Sequence, residues 1–361
     1  MKAAVFHQPG AALTIEEVSI SKPGPREVLI RTVASGVCHS DLHVVDGTYP
    51  YPLPVLLGHE SAGIVEAVGA DVRSVKPGDH VVTCLSAFCG CCSDCVTGHM
   101  NRCQSPSTKR GSDEEPRLSY VQKPIPQFMN LGGFAEQMLV HENACVAIRK
   151  DMPLDRAALL GCAVITGTGA VFNTANVRPG ETVAVIGCGG IGLATINGAA
   201  LAGAARIIAI DMLDSKLELA RTFGATDVVN GKDGDAVKQV LEMTRGGVHY
   251  AFECIGLKQT AEQAFGMLRR GGSATIIGMI KPGVKIELPG LDFLGEKKVQ
   301  GSFMGSNRFP VDLPRLVDFY MQGRLKLDEM ISQRIKLEQI NQAFDELKRG
   351  ELARSVIILD Q

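Results

Sequence analysis

The chain has 361 residues, 45% hydrophobic and 21% charged, with 37 basic against 39 acidic groups. That length suits two domains of ordinary size, and the near-neutral balance offers no basic field to a phosphate backbone, which excludes nucleic acid as the expected partner. The 11 cysteines, with no apolar leader after Met1-Lys2-Ala3-Ala4-Val5-Phe6, read as thiols of a reducing cytoplasm, free to ligate metal, rather than as a disulfide framework.

The N-terminal part reads as β-rich. Val28-Leu29-Ile30-Arg31-Thr32-Val33 and the run from Ala62 to Gly69 are β-branched stretches bounded by glycine and proline. Lys76-Pro77-Gly78-Asp79 is turn chemistry. Residues 104 to 131, with prolines at 106, 116, 124 and 126, are predicted to form a long surface loop. Near residue 161 the texture changes to alternating strands and helices. Val183-Ala184-Val185-Ile186 precedes a helical stretch ending near Gly203, and Ile207-Ile208-Ala209-Ile210 precedes a helix from Asp214 to Phe223. Further strands are predicted at Asp227-Val228-Val229, His249-Tyr250-Ala251-Phe252 and Ser273-Ala274-Thr275-Ile276-Ile277. This βαβ rhythm predicts an α/β fold with a doubly wound parallel sheet. The uncharged run from Thr182 to Ala205 is long enough to span a bilayer. Its glycines divide it into a buried strand, a turn and a helix, so no membrane contact is expected.

Gly187-Cys188-Gly189-Gly190-Ile191-Gly192 has the form GxGxxG, between a strand pattern and a helical one. Gly187 would allow the tight turn, Gly189 the approach of backbone to a pyrophosphate, and Gly192 close helix–strand packing. The amides of the helix start, at Gly190 and Ile191, would face the phosphates. Asp211 follows Gly192 by 19 residues, where a carboxylate accepts both ribose hydroxyls and repels a 2′-phosphate, favouring NAD over NADP. Lys216 would help to hold the ribose. The competing role for Asp211 is to cap the next helix, for which Asp214 is the better candidate.

Cys89, Cys92, Cys95 and Cys103 are spaced C-x2-C-x2-C-x7-C in a polar loop. Four nearby thiolates close a tetrahedral zinc site without an open position, which makes it structural. Cys91, beside Cys92, would be a bystander. Cys38, His59 and Cys162 are far apart in sequence, and spacing alone leaves Cys162 open to being an ordinary packed thiol.

The segment Gly58-His59-Glu60-Ser61-Ala62-Gly63 continues as IVEAVG and then KPGDHV. With the four-cysteine loop and GCGGIG, it strongly resembles the zinc-containing medium-chain alcohol dehydrogenases, and the resemblance runs essentially end to end. It implies a discontinuous, GroES-like catalytic domain over residues 1–163 and 304–361, and a Rossmann coenzyme domain over 164–303. It implies NAD and two zinc ions per subunit, one catalytic on Cys38, His59 and Cys162 and one structural. Asp41 would orient His59, and Glu60 would lie behind the metal as a transient ligand. Ser40 would accept the hydroxyl proton, and His43 would release it to solvent as the alcohol passes hydride to the nicotinamide. For Ser40 and His43 the alternatives are a turn hydroxyl and a surface imidazole.

His39 stands where many relatives carry an arginine that contacts the pyrophosphate, which predicts weaker, pH-dependent NAD binding. Arg354 matches a second phosphate-binding arginine, its alternative being a surface charge. The stretch from Thr48 to Leu57 holds no acid, unlike relatives that recognise glutathione adducts. Positions matching the family's substrate pocket, Leu85, Phe128, Met129 and Met304, are all apolar, which implies an apolar primary or aromatic alcohol as the small-molecule substrate. Residues 298–303 and the long loop point to a homodimer, with a tetramer second. The rival readings are a polyol or glutathione-adduct dehydrogenase, and a catalytically silent NAD(P)-binding relative.

Overall fold

Two hydrophobic patterns, one alternating and one continuous, build two units in the computed structural model, which describes residues 1–111, 113–350 and 352–359. The first unit comprises Met1–Cys162, Arg308–Gly323 and Leu327–Gln361; the second comprises Ala163–Asn307 and Arg324–Lys326.

In the first unit a seven-stranded sheet runs in the order Cys145–Ile148, His80–Thr83, Glu60–Val68, Glu27–Gly36, Arg354–Ile358 and Ile331–Ile335, and Gln137–His141 also pairs with Glu27–Gly36. Alternation buries Val28, Ile30, Val65, Val81, Met138 and Val140 in one cluster, each contributing about 1.5–3 kcal/mol where fully buried. Register decides what meets at the end of this sheet. Glu60 lies opposite Gly36, and Val356 pairs with Gly36 from the other side. The segment after Gly36, the strand starting at Glu60 and the strand starting at Arg354 therefore converge.

The second unit is a six-stranded parallel sheet in the order Asp227–Asn230, Arg206–Asp211, Thr182–Ile186, Val248–Glu253, Leu268–Ile276, Lys298–Gly301. The direction of winding reverses at Thr182–Ile186, and ligands of such sheets bind where the strands around that point end. The uncharged run resolves into this strand and the helix Gly190–Leu201. Among the described residues, Leu154–Ala175 is the one helix long and apolar enough to cross a membrane by length and composition, and 83% of its apolar window is buried within the protein. Its coil widens to π geometry at Leu160–Val164.

The stretch predicted as a loop is partly ordered. Leu118–Tyr120 pairs with both Ser19–Ile20 and Lys123–Pro124, because Leu118 and Ile125 bury against Val5, Val18 and Leu56. Arg117 and Arg110 both bind the buried carboxylate of Glu27. Prolines and polar residues disguised that hairpin as coil. Helices Ala236–Thr244, Lys258–Gly266, Phe309–Met321 and Ile340–Arg349 were not predicted from the sequence.

Candidate active site

Cys38 sits at the N-cap of helix His39–Val45, His59 immediately precedes strand Glu60–Val68, and Cys162 is carried by the π turn. The turn is pressed against its neighbour: a Cβ on Gly161 would lie 2.3 Å from the Thr83 carbonyl oxygen. The donor atoms of Cys38, His59, Glu60 and Cys162 all lie within 4.8 Å of one another. Cys38 is 3% exposed, Cys162 5%, and His59 and Glu60 are fully buried.

Asp41 places the imidazole. Its Oδ1 accepts the Gly58 amide at 2.9 Å, and its Oδ2 lies 3.1 Å from His59 Nδ1 as an ion-pair contact. His59 Nε2 and Glu60 Oε2 are buried without hydrogen-bond partners. Buried polar atoms are normally satisfied, so these two orphans beside two thiols fit a metal ion. Thiolate, imidazole and carboxylate donors suit zinc.

The charges point the same way. Hydrogen bonding with Cys162 holds the Cys38 thiol well below its ordinary range, while the Cys162 thiol is driven up by the same contact and by burial. Burial opposes a charged His59, yet Asp41 and Cys38 hold its proton affinity well above normal. Burial pushes Glu60 up to about 8, against the pull of Arg354. The pocket draws positive charge, and a divalent cation would displace those protons.

Arg354 belongs to this pocket. It is 3% exposed; its Nη2 donates to Glu60 Oε1 at 3.1 Å and to Cys38 Sγ at 3.7 Å, and its Nη1 donates to the Val37 carbonyl at 3.2 Å. A solvent-facing surface charge is therefore ruled out for it, and each of these contacts is to the cysteine–histidine pocket. The sequence alone gave no signal for its pairing with Glu60.

Ser40 accepts from Cys38 Sγ at 3.8 Å. His43, its side chain 27% exposed, has Nδ1 4.0 Å from Asp46 Oδ2, and its ring lies 5.5 Å from Tyr49 and 6.5 Å from that of exposed His39. Phe128 is 2% exposed and stands edge-on to His59 at 5.6 Å and to Tyr51 at 5.2 Å. Tyr51 is thus an aromatic wall residue that the sequence reading passed over. Met129 packs beside Phe128, Leu85 joins the sheet cluster, and Met304 lies in the second unit, where it accepts from Thr166 Oγ1 at 3.5 Å.

The four-cysteine ring closes as the spacing predicts. Zn–S bonds of about 2.3 Å in a tetrahedron require S···S distances of about 3.8 Å; Cys89–Cys95 is 3.9 Å, Cys92–Cys95 3.5 Å and Cys92–Cys103 3.9 Å. Amides of Cys92 and Cys89 donate to the sulfurs of Cys89 and Cys103, each at 3.3 Å. Cys91 stays outside the ring and is exposed.

In the second unit, Gly187 has φ +94°, and a Cβ on Gly192 would lie 1.7 Å from the Gly187 carbonyl oxygen. A Cβ on Gly189 would meet nothing within 4 Å, which leaves a cradle over the helix that begins at Gly190 with no side-chain cap. Such a cradle with free amides fits a diphosphate. Half-buried Asp211 accepts the Cys188 amide at 2.8 Å and those of Met212 and Leu213 at 2.7 and 3.2 Å, with half-buried Lys216 one turn on. The expected cap is corrected. The N-cap residue is Leu213, and Asp214, first in the helix, instead accepts from Asn230 Nδ2 at 2.7 Å. Glu253, fully buried, was also missed. Its Oε1 accepts from the amides of Ile255 and Gly256 and from Thr260 Oγ1, each at 2.8 Å, tying down the loop after its strand.

Residues 24–150 match the family model for the alcohol dehydrogenase GroES-like domain, and residues 190–320 match that for zinc-binding dehydrogenase. The chain is 39% identical to the class-3 alcohol dehydrogenase of Pisum sativum, covering 99% of this chain and 97% of that one. It is 40% identical to the S-(hydroxymethyl)glutathione dehydrogenase of Haemophilus influenzae, covering 99% and 96%. The crystal structure of benzyl alcohol dehydrogenase from Acinetobacter calcoaceticus superimposes with a TM-score of 0.94 at 34% identity, covering 99% of both chains.

Proposed function

Given that the chain belongs to the zinc-containing medium-chain alcohol dehydrogenase family, an oxidoreductase family, we propose that it oxidises apolar primary alcohols, aromatic ones included, with NAD, and reduces the aldehydes in reverse. The observation that carries this reading is the convergence of Cys38, His59 and Cys162, with Glu60, within 4.8 Å in a buried pocket.

Cys38, His59 and Cys162 would hold the catalytic zinc and Glu60 would exchange onto it; Cys89, Cys92, Cys95 and Cys103 would hold the structural one. Bound zinc supplies Lewis acidity that lowers the proton affinity of the alcohol oxygen. Asp41 fixes the His59 ring, and Arg354 fixes Glu60. Ser40 takes the hydroxyl proton and His43, partly open to solvent, is where it leaves. Phe128 and Tyr51 present ring edges that exclude water and favour an apolar substituent. In the second unit, Gly187, Gly189, Gly190, Ile191 and Gly192 would receive the diphosphate, and Asp211 with Lys216 the adenosine ribose. His39 would touch the diphosphate. We place the enzyme in the cytoplasm.

A homodimer is proposed through the open sheet edge. Strand Lys298–Gly301 ends the six-stranded sheet, and Leu291, Leu294 and Phe303 beside it are 78%, 83% and 59% exposed. An unpaired edge flanked by apolar residues invites a second copy. Sedimentation of Leu294→Asp as monomer would support it; an unchanged dimer would refute it.

The deciding experiment is metal analysis with an NADH absorbance screen. Two zincs per chain and preference for benzyl alcohol over sorbitol and hydroxymethylglutathione are expected. A chain without zinc at Cys38, or one inert toward every alcohol, overturns the reading. Preference for hydroxymethylglutathione would establish the second reading, which rests on the relatives of that name.

A further inference from the structure

The four-cysteine ring has a fifth thiol at its rim. Cys91 Sγ lies 3.6 Å from Cys89 Sγ, and Cys91 is exposed, whereas Cys95 is buried and Cys89, Cys92 and Cys103 are only partly open. Gly90 alone separates Cys91 from Cys89. A disulfide needs a sulfur separation of about 2.05 Å, so a closure of about 1.5 Å is required, within reach of side-chain rotation at an exposed residue.

We propose that Cys91 is an oxidant-sensing thiol that expels the structural zinc by forming a disulfide with Cys89. Access decides which thiol reacts first. The four ring thiols are committed to metal, and Cys38 and Cys162 are 3% and 5% exposed; Cys91 is the thiol that a small peroxide meets first. Susceptibility to oxidation follows thiolate character and exposure, of which exposure is what sets Cys91 apart, and sensor cysteines often stand beside a resolving cysteine.

The chemistry balances with hydrogen peroxide as oxidant. The Cys91 sulfur attacks one peroxide oxygen, the O–O bond breaks, and one water leaves, giving a sulfenic acid. The Cys89 sulfur then attacks the Cys91 sulfur; the S–S bond forms, the S–O bond breaks, and the departing hydroxide takes a proton to become a second water. Two thiols are oxidised and one peroxide is reduced. Cys89 is then lost as a ligand, and three thiolates hold the zinc less tightly against a chelator. A short-loop, exposed disulfide is of the labile kind that thiols reduce again, so the change is reversible.

The proposal rests on the zinc reading above, and the experiment separates their failures. Zinc-loaded protein is treated with hydrogen peroxide, and zinc release is followed with a chromophoric chelator. Peptide mass mapping reads the linkage, and a sulfenic-acid trap reads the intermediate. The wild type is expected to release one zinc per chain at least tenfold faster than Cys91→Ser, with a Cys89–Cys91 linkage that thiol and added zinc reverse. Cys91→Ala repeats the test should the serine variant misfold, and in the wild type the trap must mark Cys91 before the linkage forms. Equal release from the variants, or linkages that omit Cys91, overturn this proposal. Protein holding no zinc in the four-cysteine ring before oxidation overturns the zinc reading instead.

Discussion

Alanine at Gly189 and at Gly192 should produce opposite defects, although both glycines belong to one short loop. At Gly192 the new methyl group would sit 1.7 Å from the Gly187 carbonyl oxygen. An ordinary carbon–oxygen contact is about 3.2 Å, so backbone must shift by about 1.5 Å in a packed turn, which costs about 3 kcal/mol. At Gly189 the methyl group would meet nothing within 4 Å. Its effect on stability is limited to opposing terms. Alanine is a poorer N-cap than glycine by about 0.5 kcal/mol, and it restricts the unfolded chain, a gain of about 0.4–1 kcal/mol. The open space is where a diphosphate would lie against the backbone, so the same methyl should weaken NADH binding at least tenfold, about 1.4 kcal/mol. Denaturant unfolding by circular dichroism and NADH fluorescence titration read the two effects separately. Gly189→Ala is expected to unfold like the wild type and bind poorly. Gly192→Ala is expected to lose stability outright. Wild-type NADH affinity in Gly189→Ala would refute the diphosphate cradle, and wild-type stability in Gly192→Ala would refute the packing argument.

Three further outcomes follow from particular contacts. His141 is 4% exposed; its Nδ1 accepts the Asn143 amide at 3.0 Å, and burial, then Arg26 and Arg117, push its pKa down to about 4. The folded value lies below the unfolded value of about 6.5, so the unfolded state takes the proton first. Stability is complete above pH ~6.5 and is lost as pH falls to ~4, by up to ~3 kcal/mol; unfolding across that range should show this slope, and His141→Gln should flatten it. Glu253→Ala strands the amides of Ile255 and Gly256, each now held at 2.8 Å, while Thr260 Oγ1 keeps the Leu257 carbonyl at 3.0 Å, and should cost about 2–5 kcal/mol, whereas Glu253→Gln keeps an acceptor and should cost about 1–2 kcal/mol. Equal melting of the two variants would argue against the hydrogen bonds as the cause. Val121, 74% exposed at φ +47°, and Gln122 at φ +60° make a hairpin turn that suits Asn-Gly far better than a β-branched residue. The double replacement should stabilise by about 1 kcal/mol, raising the melting point by about 2 °C, and a lower melting point would contradict the turn assignment.

How much was legible follows from how local each signal was. The four-cysteine ring spans 15 positions from Cys89 to Cys103, so its spacing suffices, and the strand–GxGxxG–helix unit is equally short. Cys38, His59 and Cys162 came from resemblance, since their meeting depends on sheet register and on where a helix lands. Arg354 and Glu60 are separated by 294 positions, and no periodicity foretells that a C-terminal strand will slide in beside Gly36. Glu253 looked like an ordinary charge ending a strand; its burial is a property of the loop folded over it. The hairpin at Leu118–Pro124 was hidden because its burial comes from residues of other strands and its anchor from two arginines on Glu27.

The widened coil at Leu160–Val164 holds one amino acid more than an ordinary turn would need. Excising a position just ahead of Cys162 would let the coil relax to the common pitch while its start kept its seat. Cys162 would then fall back toward the seat of the excised residue, displaced by up to about 100° about the axis, turning the thiol out of the pocket without changing its chemistry, while residues past the turn, where the surplus is absorbed, keep their faces. Such a deletion should yield a folded protein that retains the ring at Cys89–Cys103 and forfeits its other metal, so that a single unit of chain length, rather than the identity of any side chain, sets the bearing of that ligand.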